Sequence, residues 1–193
     1  MATLTEMNES VRNHKGPIIL DSGCGTGDST KQIASLLPNA LVLGIDKNAS
    51  RLRRARHGNQ VPNAYFFQVL LEDCWLYAFA NTWTIDTHFL LYPNPWPKKK
   101  HIRRRWYAHP VFQTLLLLSP YLEIRTNWNI YAQDFVSSVS AMASRSVSLE
   151  TFHPTSPLTA FEKKYAASGH TTYKISVYSE IKRQTTDILR SIA

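Results

Sequence analysis

The chain has 193 residues, of which 44% are hydrophobic, so it can build one core of ordinary size and is no disordered polymer. Its formal charge is +8, from 22 Lys and Arg against 14 Asp and Glu, and no apolar run approaches the roughly 20 residues of a membrane span. Two cysteines, Cys24 and Cys74, exclude a disulfide framework or a four-cysteine zinc site and suit a reducing cytoplasm. The seven histidines show no metal-ligand spacing, so no metal site is expected. Residues 1–15 are polar and lack the apolar core of a secretory signal. They are expected to form a flexible segment ahead of a single domain that spans the chain.

The pattern from there alternates. Pro17 to Ser22 is short, apolar and β-branched, and reads as a buried strand. The loop Gly23-Cys24-Gly25-Thr26-Gly27 follows, and a helix starts at Asp28 and stops before Pro38. Ala40 to Ile45 reads as a second strand ending in Asp46, and Asn48 can cap a helix over Ala49 to His57. A third strand is expected over Tyr65 to Leu70, a helix over Glu72 to Trp83, and a fourth strand over Thr87 to Tyr92. Pro93-Asn94-Pro95-Trp96-Pro97 cannot be the interior of a strand or a helix and must be a rigid loop. Beyond it come a helix (Pro110 to Leu118), a strand (Leu122 to Thr126), a helix (Asn129 to Ala143) and two late strands, Val147 to Phe152 and Thr172 to Ile181.

Strands alternating with helices predict right-handed crossovers and an α/β, doubly wound, mostly parallel sheet. Ligands bind such sheets beyond the carboxyl ends of the strands. Asp21, Asp46, Asn94 and Asn127 all fall at or just after predicted strand ends, as though lining one crevice. The charge has an address as well. Residues 98–105 hold six of the 22 cations and no acid; without them 16 basic residues face 14 acidic ones. A solvated surface run, a nuclear address and a grip on nucleic-acid phosphates all fit such a block.

The glycine loop marks the nucleotide end of the crevice. Gly23, Gly25 and Gly27 let the backbone turn tightly and let a ligand come close. Asp46 lies about 20 residues on, where a carboxylate can take both hydroxyls of a ribose. A dinucleotide loop is G-x-G-x-x-G, but here the third glycine comes one residue early and Asp21 precedes the loop. This arrangement resembles motif I of the S-adenosylmethionine-dependent methyltransferases, whose cofactor has no pyrophosphate to be repelled by an acid.

The segment 92–105, Tyr-Pro-Asn-Pro-Trp-Pro-Lys-Lys-Lys-His-Ile-Arg-Arg-Arg, is more specific. It resembles the signature F/Y-P-D-P-W-x-K-x-x-H-x-x-R-R of the tRNA (guanine-N7)-methyltransferases. Arg125-Thr126-Asn127-Trp128 resembles that family's T-D-W, and Thr159-Ala160-Phe161-Glu162 its late T-x-F-E. The order and spacing agree from Ile18 to about Ser179. The resemblance implies a Rossmann-like class I methyltransferase with a late antiparallel strand, acting in the cytoplasm as a monomer or weak dimer. Its expected reaction moves a methyl group from S-adenosylmethionine to N7 of a guanine in tRNA, by resemblance the variable-loop guanine 46. It implies cofactor contacts for Asp21, Gly23, Gly25, Gly27, Asp46 and Asn94, with Asn94 also at the reacting centre. Substrate contacts are implied for Trp96, Lys98, Asn127, Thr159 and Glu162, with the basic segment 98–105 on the phosphates. Asn94 and Asn127 stand where the family has aspartate, and Leu70 stands where an acid or polar residue meets the adenine. Asp73, three residues on, is the expected substitute.

Guanine N7 carries a free lone pair at neutral pH, so its methylation needs no general base. The protein must hold two reactants in contact geometry, an effect of up to roughly 7–11 kcal/mol. Two other readings remain open. Asn-Pro-x-Trp also resembles the loop of methyltransferases that act on exocyclic or amide nitrogens, and a drifted site would leave a non-catalytic RNA-binding relative.

Overall fold

Every expected strand is present in the computed structural model, which describes residues 2–142 and 145–179. In chain order the elements are α1 (Ala2–Asn13), β1 (Ile18–Ser22), α2 (Asp28–Leu36), β2 (Leu41–Asp46), α3 (Ala49–Arg56), β3 (Ala64–Gln68) and α4 (Leu71–Ala80). They continue with β4 (Thr87–Leu91), α5 (Phe112–Leu117), β5 (Tyr121–Thr126), α6 (Asn129–Ala141), β6 (Ser146–Phe152), α7 (Ala160–Ala167) and β7 (Thr172–Tyr178). The strands form one seven-stranded sheet in the order β3-β2-β1-β4-β5-β7-β6. Only β7 runs against the others, antiparallel to both β5 and β6. β7 ends at Tyr178 and α6 at Ala141, one residue or more short of expectation, and the rest of the expected stretches, to Ile181 and Ala143, lies outside the described residues.

The central strands β1, β2, β4 and β5 are buried along their whole length. A parallel sheet covered on both faces requires this, and it explains their continuous apolar runs. One face packs Leu20, Leu43, Phe67, Leu90 and Ile124 against Trp75, Leu115 and Phe135. The other packs Ile19, Val42, Phe66 and Phe89 against Ile33, Leu52 and Ala55. The reversal of sheet order lies at β1, flanked by β2 and β4, and the crevice opens above it.

The N-terminal segment corrects an expectation. Residues 2–13 are helical, and Met7 and Val11 are buried in the first core cluster. The segment is amphipathic rather than merely polar: Met7 and Val11 are four apart and so share a helix face. Asn8 fastens it further by accepting the indole N–H of Trp83 at 3.0 Å.

Candidate active site

Steric necessity shapes the glycine loop. Gly23, Gly25 and Gly27 have φ of +81°, +59° and +80°, a region costly to side chains. A Cβ on Gly27 would stand 2.6 Å from the Phe66 ring and 2.8 Å from the Ala55 methyl. One on Gly23 would meet nothing within 4 Å. The loop is therefore packed from below at Gly27 and open above at Gly23, the side from which a ligand approaches.

Two carboxylates hold the loop, in different ways. Asp46 is buried at the end of β2. Its Oδ2 accepts the Gly25 N–H at 3.1 Å, its Oδ1 accepts the Asn48 N–H at 2.8 Å, and Arg51 lies 3.7 Å away. A carboxylate has about four acceptor sites, so capacity remains for a ribose. Asp21 is only 1% exposed, and the hydroxyls of Ser29 and Thr30 both donate to its Oδ2, at 2.7 and 2.6 Å. Burial raises its pKa, the Thr30 and Ser29 hydrogen bonds oppose that rise, and the Asp46 charge adds to it. Asp21 was expected at the cofactor. In this geometry it ties the first turn of α2 to the end of β1 and shapes the loop from within.

Beneath the loop lies a polar lock without a sequence motif. Ser22 Oγ is 2.7 Å from His88 Nε2 on β4 and accepts the Trp75 indole N–H at 3.0 Å. His88 is fully buried, and burial pushes its pKa down to about 3. The neutral ring joins β1 to β4 directly below the crevice.

The end of β3 departs from expectation. The strand stops at Gln68, two residues early, and Gln68 pairs in register with Asp46. Gln68, whose Nε2 donates to the Lys47 carbonyl at 3.3 Å, is thus the polar residue beside Asp46. Leu70 and Asp73 lie on the exposed surface, at the cap and in the first turn of α4. The missed signal was a polar residue closing an apolar run.

On the other side of the crevice, Pro93–Pro97 follows β4. Tyr92, just before it, and Trp96, within it, have φ of +51° and +45°. Such conformations cost non-glycine residues about 1–3 kcal/mol each and persist only where their surroundings hold them. Asn94 helps, for its Oδ1 accepts the Trp96 N–H at 3.1 Å. Arg105 does more. It is buried, and it donates to the carbonyls of Trp96 at 3.1 Å and Pro97 at 3.4 Å. It also donates to the Tyr107 hydroxyl at 2.6 Å, and Asp134 lies 3.5 Å away. Arg105 was expected on phosphates with the rest of segment 98–105. It clamps the loop instead, because its head is committed to carbonyls inside the fold. Lys98, Lys99, Lys100, Arg103 and Arg104 are exposed, on and just ahead of a short 3-10 helix (Lys99–Arg104). Arg104 lies over the Trp96 ring at 4.8 Å, and His101 meets that ring edge-on at 5.5 Å.

The late motif also takes a structural form. Thr159 caps α7 by accepting the Glu162 N–H at 3.1 Å. Glu162 is fully buried: Oε1 pairs with Arg125 at 2.9 Å and Oε2 accepts the Leu158 N–H at 2.7 Å. Arg125 also bonds Glu123 at 2.6 Å. Burial opposes the charge on Arg125, but the Glu123 and Glu162 carboxylates outweigh it and raise its pKa. Glu162, expected at the substrate, pins α7 to β5. Asn127 is half-buried just beyond the end of β5, in a turn made by Thr126 Oγ1 accepting the Trp128 N–H at 3.1 Å.

Asp46, Gly23, Gly25, Asn94, Trp96, Lys98 and Asn127 thus share the carboxyl edge of β2, β1, β4 and β5, while Asp21, Gly27 and Glu162 support it from inside. Among the described residues, no cluster of His, Cys, Asp and Glu could hold a metal, and no helix is long and apolar enough to cross a membrane.

Known proteins share both the sequence and this architecture. Residues 15–175 match the family Methyltransf_4, described as "Putative methyltransferase". A tRNA (guanine-N(7)-)-methyltransferase of Syntrophotalea carbinolica is 29% identical over 86% of this chain and 75% of its own length. One of Neisseria meningitidis is 28% identical over 86% and 73%. Among solved structures, a 16S rRNA (adenine(1408)-N(1))-methyltransferase from Catenulisporales acidiphilia superposes with a TM-score of 0.62 at 16% identity, over 93% of this chain and 92% of its own. The 16S rRNA methyltransferase KamB gives 0.63 at 15% identity, over 90% and 93%. The structural neighbours support the fold alone, and the family match covers most of the chain. With its glycine loop, its Pro-Asn-Pro-Trp loop and its one reversed strand, the chain belongs to the Methyltransf_4 family of methyltransferases.

Proposed function

We propose that this enzyme transfers a methyl group from S-adenosylmethionine to N7 of a guanine in tRNA, by the resemblance of its motifs the variable-loop guanine 46. The observation that carries the reading is the strained, clamped Pro93–Pro97 loop, which stands between the open glycine loop and five exposed cations. The residues fit the cofactor. Asp46 keeps acceptor capacity for the ribose, Gln68 lies beside it on the adenine side, and Gly23 and Gly25 leave room above the backbone. When bound, S-adenosylmethionine supplies an electrophilic methyl group.

The chain's own part is positioning. Guanine N7 attacks with its own lone pair, so no side chain need remove a proton. Trp96 offers a ring face to a flat base, Lys98 and its neighbours take phosphates, and Asn127 and Thr159 lie where β5 and α7 reach the crevice. Asn94 uses Oδ1 to hold Trp96 in place, which leaves its amide N–H groups for the substrate. An aspartate there would keep the same turn and add a charged acceptor for the N1–H and N2–H edge of guanine.

The test is transfer of labelled methyl from the cofactor to bulk tRNA, with mass spectrometry of the nucleosides, for wild type, Lys98→Ala and Asn94→Asp. Wild type should yield N7-methylguanine. Lys98→Ala should raise KM for tRNA with little change in kcat, and Asn94→Asp should raise turnover several-fold. A different methylated nucleoside would sink the reading. Lower turnover for Asn94→Asp would show that the amide N–H, donated to guanine O6, is what the reaction uses, and unchanged turnover would show that the side chain at position 94 does not contact the guanine edge.

A further inference from the structure

The basic segment 98–105 does not exhaust the charge asymmetry. Lys47, Arg51, Arg53, Arg54 and Arg56 place five cations in ten residues, and no acid occurs between Asp46 and Glu72. Outside these two segments 11 basic residues face 14 acidic ones, so the remaining chain is slightly acidic. Lys47 follows Asp46 at the crevice, and α3 then runs back along the sheet with all four of its arginines exposed. β2 and β4 are separated by β1 alone, so the two cationic segments leave the carboxyl edge on opposite sides of one crevice.

Some of these charges have ordinary work. Arg51 lies 3.7 Å from Asp46, and Arg56 donates to the Phe66 carbonyl on β3 at 2.6 Å. Lys47, Arg53 and Arg54 form no ion pair among the described residues. A helix C-terminus favours a cation or two, but an all-basic run with no compensating acid exceeds that need. A second observation lies beside it. A cleft of about 550 Å³ runs along the free edge of β3, lined by Arg56, Asn59, Tyr65 and Gln68, with Thr3 and Glu6 of α1 on its far wall. Tyr65 exposes 43% of its surface there. Asn59 is committed to the backbone of Val61 and Ala64, and Gln68 Nε2 to the Lys47 carbonyl, but cations on a helix beside an exposed ring are elements by which proteins hold phosphates and an unstacked base. A membrane fits less well, because the apolar residues of α3, Leu52 and Ala55, are buried in the core and leave no face to insert.

We propose that α3 and the cleft along β3 form a second RNA-contact surface, which holds the RNA on the far side of the crevice from segment 98–105. The proposal rests on the RNA-substrate reading above and adds a contact that no catalytic residue makes. The surface is a track running outward from the crevice, so RNA seated on it needs length beyond the reacting nucleotide.

Binding of bulk tRNA over a salt series tests it, with wild type, Arg53→Gln/Arg54→Gln and Tyr65→Ala. Each lost phosphate contact lowers the slope of log K against log salt by about 1, so the double variant should lose up to about 2. Tyr65→Ala should weaken binding about equally at every salt concentration and leave the slope unchanged. Cofactor affinity and turnover at saturating tRNA should stay at wild-type values in both. An unchanged affinity and slope in the double variant would overturn the surface. So would loss of binding to phosphatidylserine vesicles in that variant with tRNA binding intact. A wild type that binds tRNA with these slopes but makes no N7-methylguanine would sink the catalytic reading and leave the surface standing.

Discussion

The two sides of the crevice are built by opposite means. The glycine side is held from within: Asp21, Ser29, Thr30, Ser22, His88 and Trp75 are all buried, and Gly27 is sized by its neighbours. The proline side is held from behind by one arginine and one asparagine, and it keeps two left-handed residues. The first design suits a ligand that is the same at every turnover. The second suits a partner that brings its own bulk and charge, and it concentrates strain where the substrate is gripped.

The comparison can be broken most severely at Glu162. If its role is to pin α7 to β5, Glu162→Ala leaves Arg125 with Glu123 alone and strands the Leu158 N–H in the interior, and should cost about 3 kcal/mol. The melting temperature should then fall by on the order of 10 °C. A variant of wild-type stability that has lost only activity would return Glu162 to the substrate. Gly27→Ala comes next. A Cβ at φ +80° meets both Phe66 and Ala55, so conformational and packing costs add to about 2–4 kcal/mol in denaturant unfolding. Equal stability would mean that the glycine side is less tightly fitted than the geometry states.

The effect that is smallest at neutral pH sharpens the lock beneath the loop. His88 is neutral in the fold, with its pKa lowered by burial to about 3 from an ordinary 6.5. Below pH 6.5 the unfolded chain takes up a proton that the folded one refuses. Stability is therefore lost as pH falls from 6.5 towards 3, by about 1.4 kcal/mol per unit. Subtracting the stability–pH curve of His88→Gln from that of wild type isolates this slope from the carboxylates. No difference between the two curves would mean that His88 is already protonated or hydrated in the fold.

Sequence patterns reveal what is local. The strands of the parallel sheet announce themselves by apolar runs, the glycine loop by its spacing, and the reaction loop by three prolines in five residues. What they hide is the work of polar residues that meet across the fold. Arg105 looks like its cationic neighbours, and only the path of the chain shows its head among carbonyls. Glu162 sits in a motif, yet its partner Arg125 is 37 residues away and on another element. Ser22 and His88 are separated by 66 residues and have no motif at all. Residues 2–13 look polar because an amphipathic helix needs few apolar positions. Gln68 is hidden because a strand end is hard to place within two residues.

The sheet order bears on synthesis. β5 pairs with β7, the last strand among the described residues, and β6 reaches the sheet only through β7. On the ribosome the first five strands can assemble while the outer edge of β5 waits for residues 172–178, some 50 residues later. At about 5–20 residues per second that edge stays open for roughly 3–10 s. For the first 37 of those residues Arg125 lacks Glu162 as well. The nascent enzyme is then open to strand pairing with a neighbouring chain, and completion of the sheet depends on β7 closing it from the inside.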